Sequence, residues 1–401
     1  MMIALMADRD LKGKTAITGL GITEQGRVYG HDASWFAEEA VRLAVEDSGL
    51  RKDEIDGLLV NQGMTPLGGM GGLELQNVLG LTNLRLLLSM ESGGATAAIM
   101  VQYAALAIAN GMANHVVCVF ADAPLREGRG AAATYGGAQT GSQPTGMRGL
   151  STAFGVFGVN ARYALAAQRH MGLYGTTNYQ LGAVAVAQRQ WATMNPMAQY
   201  REPITIDDYH ASRWIVEPLH LLDCCLVSNG GVAVIVSAAD RAKDMRQPPA
   251  YILGMGQGHP GDLRRAGWDV ETLTGAPMAK EQAFAMAGIG IDDIDVCQLY
   301  DCYTYTVLVT LEDYGFCAKG EGGPFVADGK LGPGGALPTN TGGGQLSAYY
   351  MWGMTPLSEG VIQARGQGGE RQVDKHDVVL VSGNGGILDH HSTLLLSPHA
   401  S

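Results

Sequence analysis

No stretch of this chain strings together the eighteen or so apolar residues that a membrane span needs. Basic residues are sparse. The 27 Lys and Arg against 39 Asp and Glu leave a formal charge of −12, with no basic run, so nucleic acid is not an expected partner. The N-terminus lacks the charged, then apolar, then small-residue order of a signal peptide, and Met1–Asp10 reads as a leader to the first strand. The six cysteines form neither a CxxC pair nor a zinc quartet. They sit in apolar contexts and are expected to be reduced, buried thiols of a cytoplasmic protein. GxSxG, HExxH and P-loop patterns are missing. Gly68–Gly72 and Gly254–Gly261 lack the strand-then-helix spacing of a dinucleotide fingerprint. No carboxylate and histidine grouping suggests a metal.

What is present is a chain long enough for two domains, rich in glycine and 46% hydrophobic. Strands are expected at Thr15–Ile22, Gly57–Val60, Leu86–Met90, His115–Phe120 and Gly231–Ser237. Ser34–Ser48 has helical periodicity and ends at Gly49, a natural C-cap. Ser92–Asn110 is apolar nearly all round and predicts a buried helix. Arg126–Gly158 is a long Gly/Ala-rich stretch, expected to be functional or part of an interface. Ala161–His170 and Tyr179–Met194 read as helices, and Ile204–Asp223 as a lid or bracket. From Ala250 the pattern restarts. Gly49-Leu50-Arg51-Lys52-Asp53-Glu54-Ile55-Asp56 aligns without gaps to Gly288-Ile289-Gly290-Ile291-Asp292-Asp293-Ile294-Asp295. His115–Val119 echoes Asp377–Val381. The chain therefore reads as two similar βα-alternating halves, residues 1–245 with a loop and lid region near 122–225, and residues 246–401. Ser92 and Tyr350 take related places, each at the start of its half's buried helix.

Two polar aromatic segments concentrate the candidate chemistry. In Leu337–Gly360, Gly342, Gly343 and Gly344 permit a tight turn, and a helix is predicted to begin near Gln345 and Leu346 with Tyr349 and Tyr350 in its first turn. The other segment is Tyr300-Asp301-Cys302-Tyr303. The two are expected to meet, with Tyr300 and Tyr350 carrying the chemistry. Asp301 is expected to orient Tyr303 or cap backbone groups.

Arg213–Cys225, Tyr300–Thr304, Gly315–Gly320 and Leu337–Gly360, set in two βα halves, resemble the thiolase superfamily in its sterol-carrier-protein-type branch. They are most similar to the thiolase-like lipid-transfer proteins that act as acyl-CoA aldolases in steroid side-chain breakdown. The resemblance implies an α/β thiolase fold, two βαβαβαββ halves in a five-layered αβαβα arrangement. It also implies a homodimer and a small companion of the DUF35 family, built on an oligonucleotide-binding-type fold and a zinc ribbon. Coenzyme A would enter as part of the substrate, with no covalently bound cofactor.

The chain departs from a thiolase at each usual catalytic group. Serine stands at the nucleophile's place in Met90-Glu91-Ser92-Gly93-Gly94. The branch's His-Asp-Cys-Phe is Tyr300-Asp301-Cys302-Tyr303. Ser382 matches the second cysteine, and the Gly-His-Pro motif is missing around Tyr350. A serine needs an adjacent base to act as a nucleophile, and only His390 or His391 is available for that. What survives is a glycine scaffold, Gly93, Gly343, Gly344, Gly385 and Gly386, suited to holding a thioester oxygen as an enolate. Retro-aldol cleavage needs that scaffold and a proton acceptor for a β-hydroxyl, and two tyrosines supply it. The expected activity is therefore cleavage of a β-hydroxyacyl-CoA. The alternatives are an acyltransferase using Ser92, with His390 in support, and a non-catalytic acyl-CoA-binding subunit. Among eight lysines only Lys319 lies near a site segment.

Overall fold

The computed structural model describes residues 11–68, 71–130, 153–156, 158–261 and 272–401. The leader Met1–Asp10, part of Gly68–Gly72 and most of Arg126–Gly158 lie outside the described residues.

The first half runs β1 (Thr15–Ile22), α1 (Ala33–Ser48), β2 (Gly57–Gln62), α2 (Gly72–Leu79), β3 (Leu86–Ser89), α3 (Thr96–Ala109) and β4 (His115–Asp122). An excursion follows: α4 (Gly158–Tyr174), α5 (Asn178–Thr193), α6 (Ile206–Ala211) and a ribbon of β5 (Trp214–Val216) with β6 (Leu219–His220). β7 (Gly230–Ala238) returns to the sheet. The second half runs β8 (Ala250–Gly258), α7 (Ala276–Ala287), β9 (Val296–Gln298), α8 (Thr304–Tyr314), α9 (Gly322–Ala327), α10 (Met354–Ala364), β10 (Val379–Gly385) and β11 (His390–Ser397).

Among the described residues, all strands except the ribbon form one nine-stranded sheet in the order β3-β2-β4-β7-β1-β8-β11-β10-β9. The halves join where β1 meets β8 antiparallel, Ala16 opposite Tyr251 and Ile17 opposite Ala250. The duplication holds down to single hydrogen bonds. Gly49 and Gly288 end α1 and α7 at φ 77° and 69°, and a short 3-10 turn follows each. Asp56 then accepts from the Asn114 and His115 N–H groups at the head of β4, and Asp295 accepts from the Val378 N–H just before β10. The repeated aspartate thus pins each half's central strand. Besides the excursion between β4 and β7, the halves differ at one edge. The counterpart of β3 is reduced to a single parallel bridge, Cys297 to Thr339.

α3 and α10 share one hydrophobic cluster with the inner faces of both half-sheets. α1 and α2 cover the outer face of the first half, and α7 and α8 that of the second. The result is the five-layered αβαβα thiolase fold. A partly buried ion pair ties the layers across the halves, Arg365 Nη1 to Asp47 Oδ2 at 2.8 Å. No helix among the described residues is long and apolar enough to cross a membrane.

Candidate active site

Four glycines make the crossing of the halves possible. A Cβ on Gly385 would lie 1.9 Å from the Ser92 carbonyl oxygen, and one on Gly353 would lie 2.2 Å from that of Gly94. One on Gly383 would lie 2.7 Å from the same Gly94 oxygen, and one on Gly94 itself 2.1 Å from Tyr300 Cε2. The Ser92–Gly94 turn ahead of α3, the start of α10, the end of β10 and the Tyr300 ring therefore touch at one point. Only residues without a side chain permit that approach.

Tyr300 and Tyr350 meet there, with their hydroxyls 3.2 Å apart. The two strands of chain that carry them are zipped together. Cys297 N–H donates to the Pro338 carbonyl at 2.9 Å, Asn340 N–H to that of Cys297 at 2.8 Å, and Leu299 N–H to Asn340 Oδ1 at 2.7 Å. The Asp301 carboxyl closes the zip. It accepts from Gln345 N–H at 3.0 and 2.9 Å and from Leu346 N–H at 3.3 Å. Burial pushes this carboxyl up to about 7, against the opposing pull of those N–H groups.

A third segment braces both tyrosines. Cys225 N–H donates to the Cys302 carbonyl at 3.0 Å, and Leu226 N–H to that of Gln345 at 2.9 Å. Ser228 Oγ accepts from Tyr350 N–H at 3.0 Å and from Gln199 Nε2 at 2.7 Å. The bracket read in Ile204–Asp223 is anchored to the same place, because buried Asp223 accepts from Thr304 Oγ1 and from the Tyr209 hydroxyl.

Several expectations need correction. Gly344–Ala348 is a single wide π-type turn, and Tyr349 is extended at φ −160°. The helix starts only at Met354, so Tyr349 and Tyr350 do not sit in a helical first turn. Ser92 N–H bonds Thr96 Oγ1 and Met351 N–H bonds Thr355 Oγ1, so the counterpart of Ser92 is Met351, one residue past Tyr350. The close approaches reserved for a ligand at Gly343 and Gly344 are made by Ala192 and Asp301. Gly93 gives its N–H to Glu91 Oε1 at 2.8 Å. Gly385 and Gly386 line the turn into β11, where the Tyr163 hydroxyl reaches the Gly386 carbonyl at 3.4 Å.

Ser92 is not joined to a histidine. Its Oγ donates to the Glu91 carbonyl at 2.8 Å. His390 Nδ1 lies 3.1 Å from His259 Nδ1, and buried His391 faces the Tyr314 hydroxyl at 3.0 Å. Ser382 is fully buried in β10. Lys319 is held by Glu312 at 3.1 Å and Asp313 at 2.6 Å. The thiols around the site are neutral, since burial pushes Cys302 up to about 12 and Cys225 well above its ordinary value.

Two site residues were not anticipated. Tyr163 of α4 stacks on Tyr303 with ring centroids 4.5 Å apart, and Asn160 accepts from the Tyr303 hydroxyl. Both lie far from the motif segments in sequence, and no local pattern marks them.

Residues 264–398 match the family described as Thiolase C-terminal domain-like. The chain is 39% identical over 385 residues to the steroid side-chain-cleaving aldolase of Thermomonospora curvata, across 94% of this chain and 96% of that one. It is 37% identical over 385 residues to the 17-hydroxy-3-oxo-4-pregnene-20-carboxyl-CoA lyase of Mycobacterium tuberculosis, across 94% and 97%. The solved structure of an Ltp2-ChsH2(DUF35) aldolase superposes with a TM-score of 0.84 at 36% identity, covering 96% of this chain and 98% of that one.

Proposed function

Because the chain belongs to the thiolase-like family that includes the steroid side-chain-cleaving aldolases, we propose that it is an acyl-CoA retro-aldolase whose acid–base pair is Tyr300 and Tyr350. The substrate is a β-hydroxyacyl-CoA, and side-chain degradation of a steroid is the physiological setting. The observation that carries the assignment is the 3.2 Å contact of the two hydroxyls at the junction of the halves, where the thiolase nucleophile's place holds a serine turned to its own backbone.

One tyrosine, as phenolate, takes the proton of the β-hydroxyl. The bond between Cα and Cβ breaks, Cβ leaves as a carbonyl, and the electron pair passes into the thioester as an enolate. The other tyrosine protonates the enolate carbon, giving the shortened acyl-CoA. A proton crossing the hydrogen bond between the two phenols then restores the starting state. No covalent intermediate and no external oxidant or reductant is needed, and atoms balance between one β-hydroxyacyl-CoA and its carbonyl and acyl-CoA products. General acid–base assistance of this kind supplies about 10²–10⁴-fold in rate.

The working unit is a homodimer with a DUF35-type companion, in the cytoplasm. The edge strand β3 and the exposed Leu88, Tyr103 and Leu106 support pairing with a second copy at that end of the sheet. Charge supports the companion. A chain at −12, with Lys319 bound internally, offers little to grip the coenzyme's phosphates. All six cysteines are free, as a reducing compartment requires.

The test is to co-express the chain with its DUF35-type companion and supply a 17-hydroxy steroid acyl-CoA. Ketone release should appear by mass spectrometry with the complex and be weak or absent with the chain alone. A complex that bound the acyl-CoA and released no ketone would overturn the assignment.

A further inference from the structure

Asp301 is wholly buried, yet it faces more polar groups than its bonded partners use. Beyond the Gln345 and Leu346 N–H groups, two buried amides flank it. Asn340 interacts with the carboxyl, but its Nδ2 has no partner at hydrogen-bond geometry. Both ends of the Gln188 amide are likewise unpartnered. A Cβ built on Gly344 would touch Asp301 Oδ2 at 2.1 Å and Gln188 Oε1 at 2.9 Å, so the amide and the carboxyl stand on the same side of that glycine. A small cavity of about 10 Å3, lined by both polar and apolar groups, opens beside Asp301, Asn340, Gly342 and Gly344.

Buried amides left open beside a carboxyl are costly unless the place is shaped for more than packing. The carboxyl belongs to the residue after Tyr300. The N–H groups it holds begin the wide turn whose end delivers Tyr350. One side chain therefore governs the separation of the two hydroxyls.

We propose that Asp301 is a positioning residue: its carboxylate, steadied by Asn340, clamps the Gly344–Ala348 turn and so holds Tyr350 at hydrogen-bond distance from Tyr300. The proposal rests on the tyrosine pair being the reacting pair. As a carboxylate the group accepts from both backbone N–H groups. Once protonated it keeps fewer acceptor sites and needs an acceptor of its own, which Gln188 Oε1 offers, and the clamp loosens. The titratable groups that interact with it are Cys302 on its own segment and Cys225 beside it, and Arg189 on α5 bonds Ser347 Oγ of the clamped turn at 2.9 Å. Glu359 on α10 also lines the cavity and is bound to Arg371 at 3.0 Å. With the carboxyl titrating near 7, the clamp is complete above neutrality and is lost as the pH falls.

The experiment compares wild type and Asp301→Asn in the companion complex, with a crystal structure of each. Misplacing a catalytic group by about 1 Å costs about a hundredfold, so kcat should fall about ten- to a hundredfold in the variant while KM stays within about twofold. The wild-type kcat profile should bend near pH 7, low on the acid side, and the variant should lose that bend. In the variant crystal the two hydroxyls should separate beyond hydrogen-bond reach. A variant that keeps either the contact or the bend overturns the proposal. If Asp301→Asn fails to fold, Gln188→Leu takes its place. Removing the acceptor of the protonated form should move the bend to lower pH, and an unmoved bend is a refutation. Should wild type release no ketone, the retro-aldolase reading fails, and the crystallographic separation still judges Asp301 by itself.

Discussion

The hydroxyls of Tyr300 and Tyr350, fifty residues apart in the chain, stand 3.2 Å from each other where the two halves cross. Each ring is held by its backbone neighbours, Tyr300 by the Asn340 and Asp301 zip and Tyr350 by Ser228.

Replacing either tyrosine with phenylalanine deletes a hydroxyl and keeps the ring volume, so packing changes little. Tyr350→Phe should lower kcat about 10²–10⁴-fold with an unchanged urea midpoint. Tyr300→Phe should do the same. Turnover close to wild type in either variant would remove that residue from the mechanism.

Ser92→Ala should keep most of the activity. The Ser92 hydroxyl donates to the Glu91 carbonyl, and no histidine stands beside it to draw off its proton. Intact-mass measurement during turnover should find no acyl adduct. An acyl-Ser92 species, or a thousandfold loss of rate, would favour the acyltransferase instead.

Gly385→Ala should damage fold and site together. Its Cβ would meet the Ser92 carbonyl oxygen at 1.9 Å, and backbone on both sides leaves little room to yield. Overpacking of this order costs about 1–3 kcal/mol. Urea titration should show the lower midpoint, and the surviving folded fraction should be slow because the Ser92–Gly94 turn backs the Tyr300 ring. A wild-type midpoint with full activity would show that the crossing tolerates a methyl group.

His391 sets a pH limit on stability. Burial pushes its imidazole down to about 3, so it stays neutral in the folded protein while the unfolded chain protonates near pH 6.5. The unfolded state therefore binds more protons between those values, and stability falls on acidification through that window. The limiting slope is about 1.4 kcal/mol per pH unit. On going from pH 7 to 5, the change in urea midpoint should be more unfavourable in wild type than in His391→Gln, because other buried groups such as Asp301 contribute equally to both. Equal slopes would place the acid sensitivity elsewhere.

Much of the fold is legible in local sequence because the relevant forces are local. Thr15–Ile22 is the same strand in sequence and structure, and Gly49 and Gly288 end their helices for the reason glycine usually does. The Gly49–Asp56 and Gly288–Asp295 repeat shows in the sequence because the aspartate in each must cap the same strand. The pairing of Tyr300 with Tyr350 follows from the family resemblance of the two segments that carry them. Tertiary structure decided the rest. Gly344–Ala348 looks helical in sequence, and the Asp301 carboxyl, arriving from another strand of the chain, holds it in a wide turn instead. Gly343 and Gly344 read as ligand contacts, since a glycine does not reveal which neighbour needs its missing side chain. Lys319 read as a charge near the site, and only the placement of Glu312 and Asp313 shows it bound. Tyr163 and Asn160 carry no local mark, because stacking and hydrogen bonding between distant segments leave no periodicity in either one.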